Sequence, residues 1–442
     1  MNIQLSDHFT YRKLFRFTLP SVVMMIFTSI YGVVDGIFVS NFVGKTPFAA
    51  LNFIMPFLMM FGGLGFMIGT GGSALVSKTL GEGDGDRANK LFSMLIWISF
   101  GVSTLLAIFA IAFMRPVAYL MGARGGMLEY CVIYGRILMI SLPAFILQNE
   151  FQSFLITAER PKLGLAITVA AGVTNIVLDA LLVAVLDLGL EGAAAATAIS
   201  QIVGGIVPLV YFLVPNGCTL KLTRPCMDWK ALAKTCTNGS SELMTHWSMS
   251  LVNMLYNIQL MRFAGENGVS AYGVILYVNF IFISVFLGYS IGCAPIVGYH
   301  FGANNTLELK NLYGKSLRIM GVLSLVLTVL AQLLASPLAG IFVRYDAVLM
   351  EMTRRAFMIY ALSFLMTGFN IFASAYFTAL NDGLVSACIS FLRTLLFQAA
   401  SVLLLPLVLD LDGVWLSIVL AETLALGVSA FCFVKFKGKY GY

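Results

Sequence analysis

The sequence predicts an all-α integral membrane protein: twelve transmembrane helices in two six-helix bundles, related by a pseudo-twofold axis along the membrane normal, V-shaped with a central cleft. Three observations predict it. Of the 442 residues, 59% are hydrophobic and 11% charged, with a mean hydropathy of +0.91, whereas soluble domains carry about 25% charged residues. Apolar runs long enough to cross the hydrocarbon core, about 20 residues each as helix, recur from Leu14 to Val434. Shifting the chain by 221 residues, half its length, brings structural punctuation into coincidence: Gly44 on Gly265, Gly71 on Gly292, Gly81 on Gly302, Pro116 on Pro337 and Gly192 on Gly413.

Taken in order between breakers, the runs predict spans at 15–40, 48–77, 91–114, 131–157, 163–186 and 191–214. Arg12, Lys13 and Arg16 ahead of the first span resemble a secretory signal. No small-residue cleavage site follows promptly and the apolar run continues past Asp35, so a retained first helix is expected. A polar linker, 215–235, containing Pro215, Gly217 and Pro225, separates an N-lobe (1–214) from a C-lobe (236–442). Six further spans are expected at 236–262, 269–298, 312–335, 351–379, 384–408 and 412–434. Six is an even number, so the second half enters from the same side as the first, which makes a parallel repeat.

With the N-terminus inside, the inner segments collect 17 Lys and Arg and the outer loops 7, which puts both termini in the cytoplasm. The net charge of +6 lies in short loops beside the spans and asks for no nucleic-acid partner. Seven scattered cysteines without a CxxC pair suggest neither a disulfide framework nor a zinc site. The Gly-rich run from Gly62 to Gly72 is not a phosphate loop. It lacks the required Lys, and small residues four apart, as at Gly65 and Gly69, are a device for close helix packing in lipid.

Helical spacing sorts the intramembrane polar residues into stripes. In the first span Ser21, Thr28, Tyr31 and Asp35 share a face; in the fifth, Thr168, Gly172, Asn175 and Asp179 do. Both helices ascend from the cytoplasm, so Asp35 and Asp179 fall at similar depth in the outer half, where two carboxylates and an amide can share a proton or hold a small cation. The competing reading is a carboxyl hydrogen-bonded between helices. An acid inside the membrane is costly and marks an ion or substrate pathway by default. The positions 221 later are Tyr256, Leu396 and Ala400, so the acids are no requirement of the six-helix unit. Gly32 and Gly36, flanking Asp35, would let the first helix bend. In the second half, a stripe of Glu242, His246, Ser250, Asn253 and Asn257 and another of Thr367, Asn370, Ser374 and Thr378 are candidates to line the cleft, although interhelical hydrogen bonding explains such residues equally well. Arg393, about ten residues into its span, is expected to pair internally, and Glu150 to be interfacial. The many Phe, Met and Tyr residues are mostly packing or lipid-facing, with a subset suited to an adaptable apolar wall and to organic cations.

Several motifs in sequence resemble the multidrug and toxic compound extrusion (MATE) family, and the resemblance covers nearly the whole chain. They are Val-Asp-Gly-Ile-Phe-Val around Asp35, Asn-Ile-Val-Leu-Asp at 175–179, and Gly-Leu-Glu-Gly-Ala-Ala-Ala-Ala-Thr at 189–197. Residues 288–305, from Gly288 to Asn305, look most like its MepA-like bacterial branch. The resemblance implies a multi-pass protein of the bacterial inner membrane that exports cationic or amphiphilic drugs in exchange for inward H+ or Na+, without a cofactor. By motif, it implies that Asp35, Asn175, Asp179 and Thr197 form an N-lobe cation site able to hold H+ or Na+. Tyr31, Glu242, His246, Asn253, Asn257, Asn370 and Arg393 are the candidate cleft residues. The expected partners are small organic cations and membrane lipids, with a monomer as the working unit. Two other readings stay open: a lipid-linked saccharide flippase of the same superfamily, which would want basic groups such as Arg393, Arg136 and Arg318 in the cleft, and an intramembrane enzyme, which the dispersed His8, His246 and His300 do not favour.

Overall fold

The computed structural model describes residues 3–43, 45–215, 217–344 and 346–442, without side-chain surroundings at 36, 37, 39–41, 45, 46, 48, 49, 52 and 56. Gly44 lies outside the described residues, as do the surroundings of Gly36. The first half comprises α1 (Tyr11–Phe42), α2 (Lys45–Gly81), α3 (Gly85–Met121), α4 (Gly125–Ile140), α5 (Leu142–Thr157), α6 (Pro161–Leu178) with a π turn at Asp179–Val185, and α7 (Gly189–Leu213). The second comprises α8 (Trp229–Gly302), α9 (Thr306–Val343), α10 (Ala347–Ala361), α11 (Phe364–Ala379), α12 (Gly383–Phe391) with a π turn at Leu392–Phe397, α13 (Gln398–Leu404) and α14 (Pro406–Tyr440).

These elements make twelve crossings. The 74-residue α8 is a hairpin of two spans, reversed at Gly265, whose φ of 62° and ψ of −150° only glycine adopts without strain. The pairs α4–α5 and α10–α11 are each one span, bent by 56° and 49°. Their breaks, at Ser141 and Leu362, lie 221 residues apart, as do Pro116 and Pro337 inside α3 and α9 and the left-handed turn residues Gly83 and Asn304. The repeat therefore extends from punctuation to helix geometry. One boundary differs from expectation: α8 begins at Trp229, inside the polar stretch assigned to the linker, because Asp228 caps it by accepting from the Ala231 N–H at 3.0 Å.

At the end that carries both termini, the halves meet backbone to backbone. A Cβ on Gly239 of α8 would lie 1.8 Å from the Met67 carbonyl oxygen of α2, and one on Gly71 would lie 2.1 Å from the Thr235 carbonyl oxygen. Gly65 and Gly69 bring α2 close to α5 as well, with a Cβ on them 2.7 Å from the Ile146 carbonyl oxygen and 3.0 Å from the Glu150 Cα. The Gly-rich run is thus a packing surface used on two sides. The N-terminal segment straps this end: the Leu5 N–H donates to Glu159 at 2.7 Å, and Glu308 accepts from the Phe9 N–H at 2.9 Å and contacts His8 Nδ1 at 2.6 Å. At the opposite end α2 and α8 diverge around a cleft of about 940 Å³, lined by Phe53, Met55, Met59, Asn253, Met254, Asn257 and Met261 among others. Large apolar side chains such as Leu105, Ile108, Phe109 and Phe113 are exposed along α3, as a lipid-facing helix requires.

Two predictions follow from this packing. Gly239→Ala inserts a methyl against backbone that cannot retreat, and we expect about 1–3 kcal/mol of destabilisation, read as a lowered unfolding temperature in detergent; an unchanged temperature would refute the close approach. Asp382 caps α12 and joins it to the C-terminus. Burial would raise its carboxyl, but bonds from Tyr440 and Lys439 outweigh that and hold it below the usual carboxylate value. Its contribution is full above the unfolded value of 3.8 and is lost as pH falls through the lower native value, because the unfolded chain binds the extra proton. Asp382→Asn should therefore flatten the fall in unfolding temperature in that acid range.

Candidate functional site

Asp35 projects from α1, and Asp179 stands where α6 gives way to the π turn. The turn is visible as the Leu186 N–H reaching back to the Leu181 carbonyl at 2.9 Å. Such insertions recur at functional sites. Asn175 lies one turn before Asp179, and α7, which carries Thr197, packs against the π turn. Asp35 sits close enough to Asn175 and Asp179 for each to act on its charge. Asp179 is 0% exposed and Asn175 2%. Among the described residues, both Asp179 carboxylate oxygens, Asp35 Oδ1, Asn175 Nδ2 and Thr197 Oγ1 are buried without a hydrogen-bond partner. Buried polar atoms in native proteins are almost always satisfied. This cluster is not satisfied internally, and its oxygen-rich donor set suits a proton or a hard cation. Tyr31, one turn before Asp35, packs on Gly172, where a Cβ would meet its ring at 3.0 Å, and Tyr134 lies within the field of both acids.

The second-half candidates divide. Glu242, His246 and Asn253 line a cavity of about 150 Å³ inside the C-terminal bundle, with Arg393 on its far wall. Asn253 and Asn257 also line the outer cleft. Asn370 does neither. It is 0% exposed, donates to the Glu422 carbonyl and carboxylate at 2.9 and 2.7 Å, and accepts from Ser429 at 2.9 Å; it is a scaffold for Glu422 and not a cleft residue. Arg393 pairs internally as expected, its Nε 2.9 and 3.1 Å from the two oxygens of Glu422.

One acid, Glu422, escaped the sequence reading, and another, Glu150, was misplaced by it. Glu422 stands alone in the last apolar run, a signal as plain as that of Asp35 but without a polar stripe beside it. Glu150 was expected at the interface; it is 0% exposed, both its oxygens lack partners, and it packs against Gly69 of α2. The polar neighbours Gln148, Asn149 and Gln152 gave α5 the look of an interfacial segment, but all three are buried between helices.

A model of the MatE family matches the chain twice, over residues 20–181 and 243–403, once in each half. The chain belongs to the MatE family. Its similarity to the multidrug export protein MepA of Staphylococcus aureus strain MRSA252 is 22% identity over 417 residues, 94% of this chain and 91% of that one. To MepA of Staphylococcus saprophyticus it is 23% over 424 residues, with the same coverage. Among solved structures, an outward-facing multidrug resistance MATE family transporter superposes with a TM-score of 0.91 at 22% identity, covering 97% of this chain and 96% of that one. A MATE protein in complex with MaL6 gives 0.91 at 23%, with 96% of each chain covered. This MatE member is a transporter and not an enzyme.

Within this MatE chain the Arg393–Glu422 pair is structural as well as charged. Glu422→Met leaves a buried guanidinium without its partner and should cost about 3–5 kcal/mol, whereas Arg393→Met combined with Glu422→Met should recover most of that. Thermal unfolding of purified protein reads both; a single mutant as stable as the parent would show that the pair holds nothing together.

Proposed function

We propose that this protein exports cationic or amphiphilic small molecules from bacteria in exchange for H+ or Na+ moving inward; the relatives it resembles are named for multidrug export. The observation that supports this reading best is the pair of acids in the first lobe: two carboxyl groups on facing helices, buried close to each other, with no basic group paired to either among the described residues. Two such charges excluded from water demand neutralisation, and a proton or a small cation supplies it. Asp35, Asn175, Asp179 and Thr197 are the residues that would hold it. The outer cleft, apolar and rich in methionine with Asn253 and Asn257 at its wall, suits ligands of varied shape.

In this reading the lobes, 1–214 and 236–442, rock about the glycine crossing of α2 and α8, and the linker 215–235 leaves both termini cytoplasmic in the inner membrane. The protein works as a monomer embedded among lipids. Cation binding at Asp35 and Asp179 lowers affinity for the drug, and linkage makes the effect mutual. The flippase reading loses most of its basic groups: Arg136 donates to the Ile111 carbonyl and Arg318 to Tyr11, both exposed, which leaves Arg393, already paired through its Nε with Glu422, alone to meet a pyrophosphate.

Purified protein in liposomes, with pH and sodium gradients imposed separately, tests the proposal. We expect one of the two gradients to drive ethidium transport, and Asp35→Asn and Asp179→Asn each to slow it by at least about tenfold, the order of a typical coupling free energy. Undiminished gradient-driven transport by both mutants would exclude the site.

A further inference from the structure

The cavity inside the second lobe is separate from the acid pair of the first, and its chemistry differs. It encloses about 150 Å³, the size of cavity that accepts a benzene molecule. Its polar wall is built. Ser429 holds Asn370, Asn370 holds Glu422, and Glu422 holds the Nε of Arg393. A guanidinium that served only to pair would present its fork of two parallel N–H groups to the carboxylate. Here the pair is made through Nε alone, and among the described residues the terminal nitrogens of Arg393 have no partner.

Glu242 lines the same cavity and feels the charge of Arg393 but bonds to nothing among the described residues. Two further acceptors in the wall, Tyr256 Oη and Asn279 Oδ1, are buried without a partner, on residues 2% and 6% exposed. Tyr256 and Tyr272 stack at 4.9 Å and 10° and supply a flat apolar face.

We propose that this cavity binds a small zwitterion of amino-acid size, its carboxylate on the free edge of Arg393 and its ammonium on Glu242. A plain organic cation would leave the guanidinium edge unpaired and meet its charge, and a plain anion would do the same at Glu242. Leaving a buried polar group unmatched is what makes a site reject an analogue that lacks the complement. Asn253, which accepts from Tyr272 at 2.9 Å, borders both this cavity and the outer cleft, so the ligand has a route between them through one side chain.

Calorimetric titration of the purified full-length protein with three probes decides it: L-leucine, 3-methylbutylamine, which lacks the carboxylate, and 4-methylpentanoate, which lacks the amine. We expect leucine to bind at least about tenfold more tightly than either half-analogue. Arg393→Lys keeps the charge near Glu422 but removes the fork, and should weaken leucine and 4-methylpentanoate while sparing the amine. Glu242→Gln should weaken leucine and the amine while sparing the acid. Leucine binding is read here by titration with no gradient imposed, and cation coupling by gradient-driven ethidium transport, so failure of the cation-coupling proposal and failure of this one are read separately. Equal binding of leucine and 3-methylbutylamine would overturn the zwitterion assignment, as would the absence of saturable leucine binding by parent protein of normal unfolding temperature. The three-probe comparison on the parent stands even where a variant does not fold.

Discussion

Hydrocarbon supplies no hydrogen bonds, so every polar group that the chain carries into the membrane must find its partner on another helix or keep a place for a cargo. This constraint separates the two lobes. In the second, Ser429, Asn370, Glu422 and the Nε of Arg393 form a chain in which each member bonds the next, while the terminal nitrogens of Arg393 and the carboxyl of Glu242 stay open beside it. In the first, Asp35, Asn175 and Asp179 come together, and they and Thr197 carry buried atoms without a hydrogen-bond partner among the described residues. The same constraint explains why the lobes touch through glycine. Bare backbone is the surface that lets α2 and α8 approach to contact distance without burying a side chain that would have to be matched or moved.

Both lobes place an ionisable group at a π turn in the fifth span: Asp179 opens the first, and Arg393 is the second residue of the other. The two are not equivalent in the repeat, since the position 221 beyond Asp179 is Ala400. The π turns do not coincide either, since Leu392–Phe397 shifts back to 171–176 within α6, so neither the residue nor the turn is common to the repeat. A π turn widens the helix and re-aims the side chains on its face, which brings a charged group inward where a regular helix would pass it by. The repeat supplied the scaffold, and each half then acquired its own charge at its own place along it.

Most of the architecture is legible in the sequence because it follows from periodicities that need no partner to be seen. Twelve runs, the linker and the 221-residue offset are properties of the chain alone, and the bend at Ser141 and its counterpart at Leu362 confirm that the offset extends to geometry. Asp35 and Asp179 were visible because each stands in a polar stripe at helical spacing. Arg393 announced that it needed a partner without saying which, since Glu422 is 29 residues away on another span and stands in no stripe. Asn370 misled because a polar residue facing a cleft and one facing a buried carboxylate have the same spacing. Glu150 misled for a related reason: Gln148, Asn149 and Gln152 beside it imitate an interface, and only the packing of α5 against glycine-faced α2 reveals that all four are interior.

The asymmetry between the lobes bears on how they work together. A site whose charges are matched internally is stiff, because moving any member breaks the next bond in the chain; a site with unmatched acids is poised, because its energy changes by whatever neutralises it. On the proposed mechanism, in which the halves pivot on the backbone crossing, the first lobe is the one that responds to an ion, and the second the one against which it moves. Asn253 stands on the second lobe at the wall of the outer cleft, hydrogen-bonded to Tyr272 behind it. Asn253 borders both the cleft and the cavity, so on the proposed mechanism a cargo in that cavity is reached by way of the cleft and not through the ion site itself.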